Sequence, residues 1–575
     1  MKRLAHKFDL CVVGGGITGL CAAISAAREG ARVALVQDRP VFGGNSSSEI
    51  RVHICGADRH GKIPNMRETG ILEELRLENL RRNPQCSFSI WDTILYEKAL
   101  LEPNLERFLN CSCLDAGMNG SRIESITGWQ CTTYTFHTIE AKLFADCSGD
   151  GALAPLTGAE YRVGREARSE YGESVAPETA DKRTMGMTCL FQARDTGKPQ
   201  SFEPPSWAYD FPTEESLPHR GHGWLEMGYW WVELGGEDDS IHETEKIKDE
   251  LLRIVYGLWD HIKNHGDHDA ENWALEWVQF LPGKRESRRY VGDYVLTQND
   301  LESEGRFDDV VAYGGWPMDD HHPAGFWHPG PPTTFYETPS PYGIPYRCLY
   351  SKNVENLMFA GRCASYTHAA LSSARIMGTC ASTGQAVGTA AAIAVRERIP
   401  PRKVGKMHID ELRQSLLRQD AYLPGVSQRF SDLTNNATLR ASSGDPKPLR
   451  DGVNRPVGED IHAWEGRVGD SVELTWSTPR MVSSVTLIFD SALSKLIAMS
   501  YHQNNDHLTS IPEEMVKDFR IEILADGEWR PFRTIIGNYQ RLVRIPIREE
   551  ATGVRAVFDS TWGSETVRVY GYYVD

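Results

Sequence analysis

No stretch of this 575-residue chain approaches the ~20 consecutive apolar residues that a bilayer-spanning helix needs. A helical membrane anchor is therefore not expected. The first apolar strand begins by residue 9, which leaves no room for a secretory signal, so a cytoplasmic location is expected. Basic residues are in deficit: 62 Lys and Arg face 79 Asp and Glu, a net charge of −17. That balance argues against a nucleic-acid backbone or an anionic membrane surface as partner. CxxC pairs are absent, and all 12 cysteines lie before residue 381. Cys111 and Cys113 form a CxC that suits a strand better than a disulfide, so free thiols in a reducing compartment are expected. Internal repeats and low-complexity tracts are absent as well. What remains is a globular composition, 40% hydrophobic and 25% charged, on a chain long enough for two to four domains.

The most informative stretch is residues 10–37. Leu10 to Val13 reads as a strand that enters Gly14-Gly15-Gly16-Ile17-Thr18-Gly19; an alanine-rich helix follows to about Glu29, and Arg32 to Val36 alternates like a second strand. This strand, glycine turn, helix and strand order wraps a dinucleotide. Gly14 permits the tight turn, Gly16 lets backbone N–H groups approach a pyrophosphate, and Gly19 lets the helix pack close. The helix N-terminus turns the positive end of its dipole to the phosphates. The second strand ends in Gln37 and Asp38, so Gln37 is favoured over Asp38 as the ribose contact. No second GxGxxG of this quality exists, which speaks against a separate nicotinamide domain.

Further along, Gly43-Gly44-Asn45-Ser46 forms a flexible polar segment, and residues 66–81 and 91–102 have helical spacing. A buried strand, Ala141 to Asp146, runs into a second glycine turn, Cys147-Ser148-Gly149-Asp150-Gly151. Residues 165–340 hold nine of the fifteen tryptophans, which core filling or ligand stacking would explain. Asn356 to Arg362 resumes a buried strand, Ile376 to Ala394 is a small-residue helix, and 407–419 is a further amphipathic helix. After a Pro-, Ser- and Asn-rich stretch at 424–455, which reads as a linker to a separable unit, the pattern is all strand: 471–476, 482–489, 518–524, 542–547, 553–558 and 567–573.

The segments 14–19, 43–44, 145–151 and 357–394 together resemble the four FAD-contacting blocks of glutathione-reductase-type flavoproteins. With Gly283-Lys284-Arg285-Glu286-Ser287-Arg288-Arg289-Tyr290 and Tyr342-Gly343-Ile344-Pro345-Tyr346-Arg347, the chain resembles the bacterial FAD-dependent oxidoreductase family over about residues 8–396. Residues 440–575 resemble discoidin-like, galactose-binding-like domains more loosely. The resemblance implies an α/β fold: a discontinuous Rossmann-like FAD-binding domain at 1–164 and 341–423, an inserted substrate domain at 165–340, and an all-β sandwich at 440–575. It implies a noncovalent FAD held by Gly14, Gly16, Thr18, Gly19, Gln37 or Asp38, Gly44, Asn45, Ser46, Gly149, Asp150, Gly361, Arg362 and Gly378. Arg362 stands where many relatives have an acid, which leaves it as a phosphate contact, a substrate contact or an ion pair. The helix near Gly378 is expected to aim its N-terminus at the flavin pyrimidine.

The flavin would carry the hydride, leaving the protein to bind a donor and move a proton. Candidate proton carriers are His322, Tyr346, His368 and His53, with His321 and Tyr342 beside them. A histidyl-flavin at His53 is the alternative to noncovalent binding, by resemblance to succinate dehydrogenase flavoproteins, although the local motif differs. Arg285, Arg288 and Arg289 would either clamp an anion or pair with Glu286, Asp293 and Asp300. His261, His265 and His268 have helical ligand spacing, but Gly266 breaks the helix, and no metal is expected. The expected function is hydride transfer between FAD and a small polar substrate, a sugar or glycoside. The alternatives are a reductase of an unsaturated acid and a carbohydrate-binding protein with an idle flavin domain.

Overall fold

The computed structural model describes residues 1–499 and 505–575. The chain opens with β1 (Lys2–Val13), α1 (Ile17–Arg28) and β2 (Val33–Val36), followed by α2 (Ile71–Arg82), α3 (Phe88–Leu101), β3 (Leu105–Phe108), β4 (Cys111–Asn119), β5 (Arg122–Gln130) and β6 (Thr135–Asp146). β3, β2, β1 and β6 lie side by side and parallel. β1 is longer than its apolar run because it pairs with β6 from Lys2 to Val13. β2, expected to alternate, is buried at all four positions, as a parallel strand covered on both faces must be.

Along the edge away from β1, β6 is shared between two partners. Its first half pairs antiparallel with β5, and Phe144 to Asp146 pair parallel with the strand Leu357–Phe359, which returns some two hundred residues later. The N-terminal part of the sheet and the returning strand are joined there. The segment between them folds on its own small core of Met187, Phe191, Tyr229, Trp231, Leu258 and Trp259 around the helix Thr244–Asn264. Of its nine tryptophans only Trp231 and Trp259 are buried, while Trp207, Trp224, Trp230 and Trp327 are exposed, so core filling accounts for few of them.

Residues 438–574 form the β-sandwich. Two pairs of expected strands are in fact single long ones, Ser471–Phe489 and Leu542–Thr561, whose mutual register shifts at Thr475/Arg480 and Val482/Ser484. Such bulges bend a strand so that it serves both layers. Strands Thr438–Ala441, Trp464–Arg467 and Glu528–Ile535 were not legible in the pattern. The Pro- and Ser-rich stretch before them is not a free tether: Leu449, Asn454 and Arg455 are buried. All twelve cysteines are free thiols. Among the described residues no helix is long and apolar enough to cross a membrane.

Candidate active site

The first glycine turn has the backbone its sequence demands. Gly14 has φ +101°, and a Cβ there would sit 2.4 Å from Ser148 N and 2.5 Å from the Cys147 carbonyl. The first and second glycine turns thus touch. Gly16 bridges to Gly43, and its Cα face meets only Gly44, where a Cβ would find Gly44 Cα at 3.8 Å. The two bare backbones and the N-terminus of α1 form a cradle that side chains do not fill, which fits a pyrophosphate.

Gln37 ends β2 as expected, and its Oε1 accepts from the Gly15 N–H at 2.7 Å while Nε2 donates to the Val41 carbonyl at 3.2 Å. A carboxylate could take the first bond but has no proton for the second, which accounts for an amide where an acid is usual. Asp38 is exposed beside Arg39. Asn45 donates to the Lys284 carbonyl and Ser46 to that of Gly43, so both brace the loop. Thr18 is buried, with its side chain under Gly361.

At the second turn Asp146 accepts from the N–H groups of Ser148 and Leu153 and from the Tyr290 hydroxyl. Gly149 lies against the Arg362 guanidinium. Asp150 accepts from Lys284 at 2.8 Å, Ser287 at 2.8 Å and Arg362 at 3.2 Å; burial raises its pKa, but Arg362 and Lys284 outweigh that and hold it below the usual carboxylate range. Arg362 Nη1 is buried without a protein partner, which fits an anionic or carbonyl group of a bound cofactor.

The helix Met377–Glu397 begins beside this turn. The Gly378 N–H donates to the Cys55 carbonyl at 2.8 Å, and the buried Glu68 carboxylate packs on Gly378. Burial, with Asp58 adding to it, pushes Glu68 up to about 7.

Residues 284–289 lead from the cofactor turn to a charged wall. Lys284 and Ser287 hold Asp150, while Glu286 accepts from His368 Nδ1 at 2.8 Å and Arg289 pairs with Glu166 at 3.1 Å and Glu286 at 3.4 Å. His368 Nε2 lies 3.1 Å from Asp320. Burial lowers the His368 pKa, but Glu286 and Asp320 together hold it up at about 10. Beside it runs a second row: Arg285 to Glu233 at 3.4 Å, Glu233 to His321 Nδ1 at 2.5 Å, His321 Nε2 to Asp319 at 3.2 Å, and Asp319 to Arg375 at 3.4 Å. Adjacent residues feed both rows, Arg285 with Glu286 and Asp319 with Asp320. Burial raises the Asp319 and Glu233 pKa values, but their cationic and histidine neighbours outweigh that and hold both carboxyls down.

The other sequence candidates lie elsewhere. His322 is exposed and stacks on His328 with ring centroids 3.6 Å apart. Tyr346 is buried with its hydroxyl donated to the Pro401 carbonyl, and Tyr342 bonds Ser373. His53 lines a small cavity with Trp91, Asn79 and residues Ile497 to Met499 of the sandwich, and burial pushes it down to about 4. The pairing of Arg289 with Glu286 is among the sequence expectations, whereas the partnerships of Glu233, Asp320 and Arg375 are not, because nothing in their local spacing brings them together.

Three solved structures share parts of this architecture. A geranylgeranyl bacteriochlorophyll reductase-like protein from Thermoplasma acidophilum is 12% identical, covering 72% of this chain and 86% of its own, with a TM-score of 0.32. A family 32 carbohydrate-binding module from Streptococcus pneumoniae EndoD is 22% identical over 25% of this chain and 99% of its own, with a TM-score of 0.19. The family 32 module of C. perfringens NanJ, solved with galactose, is 12% identical over 24% and 93%, with a TM-score of 0.18. No curated protein sequence matches. The family profile described as FAD dependent oxidoreductase matches residues 9–416, which takes in the glycine cradle, Asp150, both charged rows and the helix at Gly378. By that match over most of its length, the chain belongs to the FAD dependent oxidoreductase family.

Proposed function

We propose that the chain oxidises a neutral, hydroxyl-bearing small molecule of the sugar or glycoside class, using an FAD held without a covalent bond. The observation that carries this reading is the row Arg285, Glu233, His321, Asp319 and Arg375. Bound FAD supplies the hydride acceptor. His321, whose Nε2 faces Asp319 at 3.2 Å, takes the substrate's hydroxyl proton at that nitrogen when the substrate displaces Asp319 toward Arg375, with Glu233 on Nδ1 fixing the ring's orientation. Trp230, 40% exposed and edge-on to His321 at 5.5 Å, offers an aromatic face to a sugar ring. Both arginines of the row already face a carboxylate at 3.4 Å. That compensation favours a neutral substrate over an unsaturated acid, which would need a free guanidinium. His368, held up at about 10 by Glu286 and Asp320, stays protonated at neutral pH and braces the wall. His53, the site of the covalent alternative, borders the sandwich across a small cavity.

Acid denaturation of the purified protein is expected to release all its FAD into solution. Anaerobic mixing with sugars, glycosides and carboxylic acids should bleach the flavin with members of the first two classes. His321→Ala should keep FAD and slow bleaching by at least about a hundredfold, while His322→Ala bleaches like wild type. The reading fails if only acids react, or if the His322 variant is the slow one.

A further inference from the structure

Four side chains from separate stretches of the inserted domain converge on one point. Glu214 opens a short turn (Glu214–Ser216), His222 follows on the same loop, His261 sits in the last turn of the helix Thr244–Asn264, and His268 comes just after it. One ligand atom from each lies within 4.8 Å of all the others. His268 Nε2 is 3.2 Å from His261 Nε2. Glu214 Oε1 is 3.4 Å from His222 Nε2, 3.4 Å from His261 Nε2 and 3.5 Å from His268 Nε2. Nitrogen and oxygen ligands placed ~2.0–2.1 Å from zinc at tetrahedral angles stand about 3.3–3.4 Å apart, so these four separations match edges of a zinc tetrahedron. The three imidazoles are arranged almost evenly, with centroids 5.0, 4.9 and 4.9 Å apart.

The outer shell has the form such a site requires. His222 Nδ1 donates to the Arg220 carbonyl at 2.7 Å and His261 Nδ1 to the Phe211 carbonyl at 2.7 Å. Those bonds set the tautomer and leave each Nε2 lone pair facing the centre. Lone pairs and a carboxylate oxygen that face one another repel, and a cation at their centre turns the repulsion into coordination. Three imidazoles and one carboxylate at tetrahedral separations suit zinc among the common divalent ions. His265, the middle one of the run His261, His265 and His268, instead faces Asp260 at 3.3 Å.

We infer that Glu214, His222, His261 and His268 bind one structural zinc ion that locks the loop 211–222 onto the end of the helix Thr244–Asn264. With four protein ligands the site is closed, which is the structural rather than the catalytic form. Arg220, between the first two ligands, donates to the carbonyls of Pro218, Gly325, Phe326, His328 and Gly330. The ion therefore also fixes the segment that follows Asp319 to His322.

The full chain purified without chelator is expected to carry one zinc per molecule by elemental analysis. After chelation, titration with Co²⁺ should give the intense visible bands of tetrahedral cobalt, saturating at one equivalent. Glu214→Gln and His261→Ala should each weaken cobalt binding by at least about a hundredfold, the upper end of what even outer-shell changes cost. His265→Ala should titrate like wild type. The inference is overturned if chelated, folded wild-type protein takes up no cobalt, if its cobalt spectrum is octahedral, or if the Glu214 variant binds as tightly as wild type. Should His261→Ala fail to fold, the wild-type titration and the Glu214 variant, altered at an exposed side chain, decide the matter.

Discussion

At the scale of single residues, the charged wall turns on histidines whose neighbours are carboxylates. His368 gains Glu286 and Asp320 on folding, and its pKa rises from ~6.5 in the unfolded chain to about 10. A raised histidine stabilises fully below the unfolded pKa and loses that stabilisation as pH climbs through the folded one. His368→Ala also takes a cation from the buried Glu286 and the half-buried Asp320, and breaking a buried pair costs about 3–5 kcal/mol. The variant should therefore unfold at lower urea than wild type at pH 6, and the gap should narrow markedly by pH 10. A gap of constant size across that window would show that the ion pairs are not the source of the effect.

Elements are held together by what their small residues allow. The helix Met377–Glu397 lies on α1 so closely that a Cβ at Gly384 would come 2.1 Å from the Thr18 carbonyl oxygen, and one at Gly388 2.1 Å from that of Ala22. Backbone cannot give way as a side chain can. Gly384→Ala should push the helices apart, cost about 1–3 kcal/mol as overpacking does, and disturb the α1 N-terminus at the cradle. Thermal unfolding and the fraction of FAD retained through gel filtration would measure it. A variant as stable and as yellow as wild type would mean that the contact is looser than described. At the same scale, strand alternation decides between neighbours: in Met318–His321, His321 is turned in to Glu233, and the next residue, His322, is turned out.

The whole molecule is tied by buried arginines. Arg67 pairs with Glu73 on α2 and donates to the carbonyls of Ser491, Ala492 and Lys495 in the sandwich. Arg541 of the sandwich pairs with Asp420 at 2.9 Å, and Arg455 donates to the Asn65 and Arg67 carbonyls and to Thr69. Leu77 of α2 belongs to the sandwich core. Truncation after residue 425 would uncover the Arg67–Glu73 pair, strip Arg67 of its carbonyl partners and leave Asp420 without Arg541. The shortened chain should aggregate or lose its flavin, as light scattering and absorbance would report. A soluble, fully yellow truncation product would refute this. These contacts make the sandwich a brace for α2.

What the sequence determined by itself is what short stretches encode: the glycine turn from Gly14 to Gly19, its flanking strands and helix, the second turn at Gly149, the small-residue helix and the all-strand end. Backbone constraints of a few consecutive residues specify those features, so they are legible without the fold. Tertiary structure alone decided which side chains meet. Gln37 reaches back to Gly15, His321 rather than its neighbour joins Glu233, and Glu214 and His222 come to the two histidines from a different loop. It likewise decided that the sandwich is docked rather than tethered. Such meetings depend on how distant segments pack, and packing is set by the summed fit of many surfaces, which no local spacing records.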